Sequence, residues 1–184
     1  MQLEFFPKAI DKNDVQNNKL KPEDRAFHNW YRFVLSFPAH LVREYISKFD
    51  LKKDAVILDP FCGTGTTLVE AKKQSIKSIG IEAHPMAHFA AKVKTNWDLD
   101  TEQIMKSAEQ VYQKCESEAG KYGDNLKTLS SEQELLLLKN SINPIPLHKC
   151  LVLLEEVNKV NNPDIRNLEL LALAFVAVYS ASNL

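Results

Sequence analysis

The sequence predicts an α/β fold in which a few parallel strands and a glycine loop precede a mostly helical region. Three features indicate this fold class. One short apolar run ends in an acid and a Gly-x-Gly turn, a second ends in another acid, and the remainder carries apolar stripes at helical spacing. The order strand, loop, helix, strand is typical of a βαβ unit, whose two strands lie parallel.

Size and composition favour one globular core. A chain of 184 residues can bury one substantial core but is too short for two full domains. Its net charge of −1 gives no global basic field, so we do not expect the chain alone to attract DNA strongly. Three cysteines without metal-ligand spacing favour a reducing cytoplasm. We expect neither a signal peptide nor a membrane span.

Three regions follow one another along the chain. Residues 1–24 are polar and predict a loose arm. Residues 25–98 hold the predicted strands, the glycine loop and their helices. Residues 99–184 predict a helical insertion or cap. Because the apolar run 168–179 leads to an end without a polar tail, we expect the domain to be incomplete at its C-terminal side.

The first predicted strand, 55–59, leads into the glycine loop. Residues 56–67 read Val-Ile-Leu-Asp-Pro-Phe-Cys-Gly-Thr-Gly-Thr-Thr, and a helix is predicted over 66–73. Glycine has no Cβ and tolerates positive φ, so a ligand can approach this backbone closely. The ligand would also meet the free N–H groups and positive dipole end of the helix.

The second predicted strand, 77–81, ends at Glu82, which lies 23 residues after Asp59. In nucleotide-binding α/β units, an acid about 20 residues beyond the loop accepts the ribose hydroxyls. The third glycine of the dinucleotide fingerprint is replaced by Leu68, and no Gly-Lys-Ser/Thr follows. The pattern therefore disfavours both a dinucleotide site and a P-loop.

The loop, Glu82 and the upstream segment 28–42 resemble class I S-adenosylmethionine-dependent DNA methyltransferases of the amino type, which modify cytosine N4 or adenine N6. The resemblance covers roughly residues 28–98. It implies a partial Rossmann-like methyltransferase fold with S-adenosylmethionine as cofactor. The implied cofactor-binding residues are Phe37, Pro38, Asp59, Pro60, Phe61, Cys62, Gly63, Thr64, Gly65, Thr66, Thr67, Glu82 and Ala83.

The resemblance also implies roles within this set. Glu82 would hold the ribose, Ala83 would flank the adenine, and Asp59 with the loop amides would surround the methionine end. Phe37 and Pro38 belong to a segment that packs under the cofactor and contacts its carboxylate, and Ser36 and His40 are weaker candidates there. Cys62 is expected to be a small residue beside the ligand, not a nucleophile.

The catalytic residues are unknown, because these enzymes act through an Asp, Asn or Ser followed by Pro-Pro and an aromatic residue. The chain has no Pro-Pro dipeptide. Its nearest approach, Asn143-Pro144-Ile145-Pro146, predicts a turn before a helix. The chain is therefore expected to be a fragment or split subunit, inactive alone, with a second chain or missing sequence supplying the catalytic half.

The implied function is methyl transfer to an exocyclic nitrogen of DNA within a restriction–modification system, with cytosine N4 favoured over adenine N6. DNA would be the partner of the complete enzyme. An RNA methyltransferase fragment and a non-catalytic S-adenosylmethionine-binding module remain alternatives. No metal is expected, because His84 and His88 are spaced as ligands but lack a third ligand nearby.

In the helical region, three start signals are the most informative. Asp100 is a predicted N-cap with Gln103 three residues later, and the segment 131–134 reads as a capping box. Pro163 predicts the first position of the last helix, which is expected to run to residue 181.

Overall fold

The computed structural model describes residues 19–32, 36–123, 125–136, 138 and 140–181. The chain forms two compact units, 1–91 and 92–184. Most of the predicted polar arm, residues 1–18, lies outside the described residues. The end of that arm forms a 3₁₀ turn over Pro22–Asp24, in which Asp24 is buried.

The first unit contains a two-stranded parallel sheet and the helices around it. Its elements are α1 (Arg25–His28), α2 (Ala39–Lys48), β1 (Val56–Asp59), α3 (Thr66–Lys73), β2 (Lys77–Gly80) and the start of α4 (Pro85–Thr95). The strands pair in register from Val56 opposite Lys77 to Asp59 opposite Gly80. The predicted α/β class with few parallel strands is confirmed.

The core of this unit lies on one side of the sheet. Helix α2 packs against α3, and α3 packs against both strands. Ile46, Ala71 and Ile76 form a buried cluster with partly buried side chains around it. On the other side, Val56, Leu58 and Ile79 are 56–60% exposed. Parallel sheets are normally covered on both faces. In this sheet, the described residues cover only one face.

The second unit is helical, as the sequence predicts. It contains α5 (Thr101–Ala119), α6 (Ser131–Glu134), α7 (Pro144–Asn158) and α8 (Pro163–Val176), and a π-helical turn (Ala177–Ala181) extends α8. Helix α7 packs against both α5 and α8. In the ranges that the structure describes, no helix is long and apolar enough to cross a bilayer.

Helices α5 and α8 begin where the sequence supplies a capping side chain or a proline. The Asp100 carboxylate accepts hydrogen bonds from the N–H groups of Glu102 and Gln103, which confirms the predicted cap. Pro163 occupies the first turn of α8 behind the cap residue Asn162, also as predicted. The last helical segment ends at Ala181 as predicted, although its regular α-helix ends at Val176 and a π-helical turn follows.

Two predicted starts need correction. The capping box lies one residue earlier than predicted, because the Ser130 side chain accepts from Gln133 N–H while the Gln133 side chain accepts from Ser130 N–H. The Asn143–Pro146 segment is not a turn ahead of the helix. Asn143 is the N-cap and Pro144 begins α7, since proline needs no hydrogen-bond acceptor in a first turn.

Replacing the α5 cap should weaken the second unit measurably. Asp100→Ala leaves the N–H groups of Glu102 and Gln103 without their side-chain acceptor. We expect a loss of about 1 kcal/mol in the free energy of unfolding, measured by urea denaturation. Asp98→Ala, which removes an exposed acid just before the cap, is the control. An equal loss in both variants would contradict the capping account.

Candidate functional site

The glycine loop is a tight turn between β1 and α3. Gly65 N–H donates to the Cys62 carbonyl at 2.8 Å, and Val69 N–H donates to the Gly65 carbonyl to begin the helix. Gly63 and Gly65 have φ values of +53° and +86°, in the left-handed region that L side chains disfavour. The Gly-x-Gly pattern is therefore required by the backbone path of the turn.

Hydrogen bonds join the ends of the two strands beyond the sheet. Ile81 N–H donates to the Asp59 carbonyl at 2.9 Å, and Cys62 N–H donates to the Ile81 carbonyl at 3.1 Å. The Asp59 carboxylate accepts from Phe61 N–H at 3.1 Å. Together these bonds place both strand-end acids beside the turn that opens α3.

Glu82 holds the loop through both of its carboxylate oxygens. Oε2 accepts from Gly63 N–H at 2.8 Å, and Oε1 accepts from His84 N–H at 2.7 Å. The hydrogen bond from His84 N–H, with that from Gly63, holds the pKa of Glu82 below its ordinary value, so the side chain is ionised at neutral pH. A carboxylate has about four acceptor positions, so these two bonds leave acceptor capacity for a ligand.

The other predicted cofactor-binding residues differ widely in exposure. The Phe61 side chain is 86% exposed at the tip of the loop, and Phe37 is 44% exposed ahead of α2. Pro60 and Ala83 are exposed, and Asp59, Gly63, Thr67 and Glu82 are half-buried. The buried members are Pro38, Cys62, Thr64, Gly65 and Thr66. The predicted cofactor-binding set therefore combines exposed and half-buried residues, which a ligand can reach, with residues that are buried.

The two loop glycines should respond differently to a methyl group. A Cβ on Gly65 would lie 3.0 Å from both Cα and Cβ of Ala91, whereas a Cβ on Gly63 would meet nothing within 4 Å. Both substitutions carry the left-handed penalty of about 1–2 kcal/mol. We expect Gly65→Ala to lose clearly more unfolding free energy than Gly63→Ala in parallel urea titrations. Equal losses would contradict the close approach of α4 to the loop.

Cys62 is buried beneath the loop and is not an activated thiol. Burial raises the pKa of its thiol, and the nearby carboxylates of Asp59 and Glu82 raise it further. A nucleophilic cysteine requires the opposite environment, with positive charge that lowers the thiol pKa. The side chain instead fills space, because a Cβ on Gly80 would lie 2.7 Å from the Cys62 sulfur.

An ionic cluster surrounds the buried Glu70 of α3, the helix that follows the loop, and we call it the Glu70 cluster. Its members are Asp24, His28, Arg43, Glu70 and Lys73. Glu70, which is fully buried on α3, accepts from Arg43 Nη1 at 2.7 Å and from Lys73 Nζ at 2.6 Å, and its Oε1 lies 2.8 Å from His28 Nε2. Arg43 also forms a two-pronged contact with Asp24 at 2.7 and 2.9 Å.

The Glu70 cluster joins three helices at one carboxylate. Its polar groups come from the turn before α1, from α1, from α2 and from α3. Burial alone would raise the pKa of Glu70, but hydrogen bonds from His28, Lys73 and Arg43 outweigh it and lower the pKa to about 2. The hydrogen bond from Arg43 likewise lowers the pKa of Asp24. Both carboxylates therefore stay ionised at neutral pH, and their contacts connect α3, which follows the loop, to the neighbouring helices.

The second unit contains a separate cavity of about 860 Å³. Its lining is mostly apolar and includes Cys115, Cys150, Leu153, Leu173 and Val176. Burial raises the pKa of both thiols, so neither is poised for nucleophilic chemistry. Among the described residues, no group of three or more His, Cys, Asp or Glu side chains is placed to hold a metal ion.

The loop, α3 and the two strands form a βαβ unit, and comparison with known proteins shows which family this segment is similar to. Residues 7–93 match the profile of the N6/N4 DNA methylase family. The resemblance to amino DNA methyltransferases is thereby confirmed over this segment. Members of this family use S-adenosylmethionine as methyl donor. The match contains the glycine loop, Glu82 and every residue of the Glu70 cluster.

Individual relatives are Type II methyltransferases. M.BsoBI of Geobacillus stearothermophilus is 33% identical over 109 residues, which is 56% of this chain and 21% of that protein. M.AvaI of Anabaena variabilis is 34% identical over 79 residues, 43% of this chain and 16% of that protein. M.MjaII of Methanocaldococcus jannaschii is 36% identical over 74 residues, 40% of this chain and 14% of that protein.

The chain spans about a fifth, or less, of the length of these curated relatives. No solved structure gives a significant match. The family match is confined to residues 7–93, in the first part of the chain.

Proposed function

We propose that the chain is the S-adenosylmethionine-binding part of a site-specific DNA methyltransferase with a partial Rossmann-like methyltransferase fold. Its residues would bind the cofactor and hold the methyl group in place, while sequence outside this chain or a second chain supplies the catalytic motif. The methyl group would pass directly to an exocyclic base nitrogen. Cytosine N4 is favoured over adenine N6 on the resemblance of the loop.

The observation that carries this proposal is the position of Glu82. One ionised carboxylate holds the N–H of Gly63 in the glycine loop and the N–H of His84 beyond β2, at 2.8 and 2.7 Å. An acid at this strand end is suited to accept two ribose hydroxyls. The amides of the loop and the N-terminus of α3 then lie on the side where the methionine end would be bound.

The other proposed cofactor contacts follow from the loop's exposure. Phe61 and Ala83 offer exposed surface on which the adenine could pack, and Gly63 faces open space. Phe37 and Pro38 belong to the segment that would pack under the cofactor. Binding orients the sulfonium methyl for in-line attack, and such positioning is a large part of group-transfer catalysis.

The proposal is tested by a methyl-transfer assay with tritiated S-adenosylmethionine and three substrates: unmethylated duplex DNA, tRNA and free nucleosides. The chain is assayed alone and together with the protein segments encoded next to it. We expect no transfer by the chain alone and transfer to duplex DNA when the catalytic part is present. Mass spectrometry of the digested DNA then distinguishes N4-methylcytosine from N6-methyladenine.

Three results would contradict the proposal. Transfer by the chain alone would show that it needs no separate catalytic half. Transfer to tRNA but not to DNA would instead support an RNA enzyme, and cofactor binding without transfer in any combination would support a non-catalytic module. The known relatives favour DNA, because those named above are Type II methyltransferases.

A further inference from the structure

Lysines are concentrated at one end of the sheet in the first unit. Residues 48–54 and 72–77 contain six lysines and two aspartates, although the whole chain has a net charge of −1. Lys73 belongs to the Glu70 cluster, and Lys72 is half-buried. The other four are exposed where α2 ends, where the chain turns before β1 and where β2 begins, and we call them the lysine edge: Lys48, Lys52, Lys53 and Lys77.

Core packing brings the members of the lysine edge together. Side chains from α2, the turn before β1, α3 and the residue before β2 pack in one cluster: Ile46, Leu51, Ala55, Ala71 and Ile76. Every member of the lysine edge lies within two residues of one of these side chains in the sequence. Lys77 is paired with Val56 in the sheet, and the strand ends at Asp59, where the glycine loop begins. The lysine edge is therefore about 10 Å along the strands from the loop.

Contacts within the fold account for only part of the lysine edge. Lys48 lies in the last turn of α2, where a positive charge stabilises the helix dipole. Lys52 pairs with Asp50, but both side chains are largely exposed and such a pair contributes little. Lys53 and Lys77 form no ion pair within the part of the chain that the structure describes. These charges are available to an anionic partner.

An exposed aromatic pair adjoins the lysine edge. Tyr45 and Phe49 are 46% and 62% exposed, and their rings stack with centroids 6.0 Å apart. The Lys48 ammonium lies 5.8 Å from the Tyr45 ring centroid, so the lysines and the rings form one surface. Lysines bind phosphates as point charges, and exposed aromatic faces pack against the bases of nucleic acids. An acidic protein surface would satisfy the lysines but offers no regular series of flat groups to the rings.

We propose that the lysine edge binds the phosphate backbone of DNA at a surface separate from the cofactor site. This inference rests on the proposed function, and it assigns a DNA contact to this chain itself. Neutralisation of phosphates by lysines gives binding that is independent of sequence and sensitive to salt. Because the lysine edge and the glycine loop lie at opposite ends of the strands, DNA binding and cofactor binding can be measured separately.

The test measures binding of a short fluorescent DNA duplex to the purified chain by anisotropy over a series of salt concentrations. The alanine triple variant carries Lys52→Ala, Lys53→Ala and Lys77→Ala. We expect it to weaken DNA binding about 10-fold or more at low salt. The slope of the logarithm of the binding constant against the logarithm of salt concentration should fall in magnitude by about 2 to 3, because up to three phosphate contacts are lost. Arginine at the same three positions keeps the charges and should preserve binding.

The matched control variant carries Lys106→Ala, Lys114→Ala and Lys149→Ala, which remove three exposed lysines from the second unit and change the net charge equally. It should bind DNA as the wild type does. No DNA binding by the wild type at low salt, unchanged binding by the alanine triple variant, or an equal loss in the control would overturn the inference. Tighter binding of poly-glutamate than of the duplex would also overturn it, in favour of an acidic protein partner.

Titration of S-adenosylmethionine into the same preparations separates this inference from the proposed function. The alanine triple variant should bind the cofactor as the wild type does, since the glycine loop is unchanged. A parallel loss of cofactor binding in that variant would show general damage to the first unit and would overturn a separate DNA surface. A wild-type chain that binds DNA through the lysine edge but binds no cofactor would contradict the proposed function and leave the DNA contact standing.

Discussion

Glu70→Ala should destabilise the first unit more than any other single change considered for this chain, by about 3–5 kcal/mol. Removing the carboxylate leaves Arg43, Lys73 and His28 facing a fully buried site that no longer contains their negative partner. Breaking a buried ion pair from one side is costly because the remaining charges lose the partner that offset their desolvation, and of these groups Arg43 keeps its contact with Asp24. The free energy of unfolding, measured by urea denaturation at neutral pH, gives the size of the loss.

Glu44→Ala is a suitable control, because Glu44 is an exposed glutamate on α2, next to Arg43 in sequence. We expect this change to stay within about 0.5 kcal/mol of the wild type. Glu70→Gln keeps the volume but removes the charge, and it should lose most of what Glu70→Ala loses. If Glu70→Gln were as stable as the wild type, the charge of Glu70 would not be what holds the helices together.

The same carboxylate predicts the acid sensitivity of the unit. Hydrogen bonds from its three partners outweigh burial and lower the pKa of Glu70 from its ordinary 4.5 to about 2 in the folded chain. Because the folded pKa is the lower one, this stabilisation is present above about pH 4.5 and is lost as the pH falls towards 2. The loss should approach 3 kcal/mol, to order of magnitude. Glu70→Gln should flatten the stability profile in that window.

Glu82→Ala should weaken S-adenosylmethionine binding by about 100-fold or more. The substitution removes the proposed acceptor for the ribose hydroxyls and also releases Gly63 N–H and His84 N–H. Its effect on stability should be small by comparison, because the side chain is only half-buried. Glu82→Ala should therefore lower the cofactor affinity strongly and the unfolding free energy only slightly. In the Glu70 variants we expect no such separation of the two quantities.

Isothermal titration and urea denaturation on the same preparations provide this comparison, with Glu44→Ala again as control. Glu82→Gln should fall between the wild type and Glu82→Ala, since an amide retains one acceptor oxygen. A folded Glu82→Ala chain that binds the cofactor as tightly as the wild type would remove Glu82 from the proposed site.

Local patterns predicted the elements that form the site. The apolar run before Asp59, the Gly-x-Gly turn and the short run before Glu82 each reflect a local requirement: extended backbone, positive φ at Gly63 and Gly65, and a strand end. Helix α3 runs over Thr66–Lys73 as predicted. The Asp100 cap was predictable for the same reason, because donor and acceptor lie within three residues.

The Glu70 cluster could not be predicted in this way. Its bonds join residues 42, 27 and 19 positions apart in the sequence, and they depend on the packing of α1 and α2 against α3. The one local signal is Glu70 itself, a charged residue between the buried Val69 and Ala71. The capping box was misplaced because two adjacent serines, Ser130 and Ser131, offered two registers, and only Ser130 reaches the Gln133 N–H.

Calorimetric titration of S-adenosylmethionine into the purified chain tests the central claim most directly. The account predicts saturable binding at one site by the wild-type chain, and loss of that binding in Asp59→Ala and Glu82→Ala chains that remain folded by circular dichroism. Absence of binding by a folded wild-type chain, or binding that survives both substitutions, would contradict a cofactor site at the glycine loop.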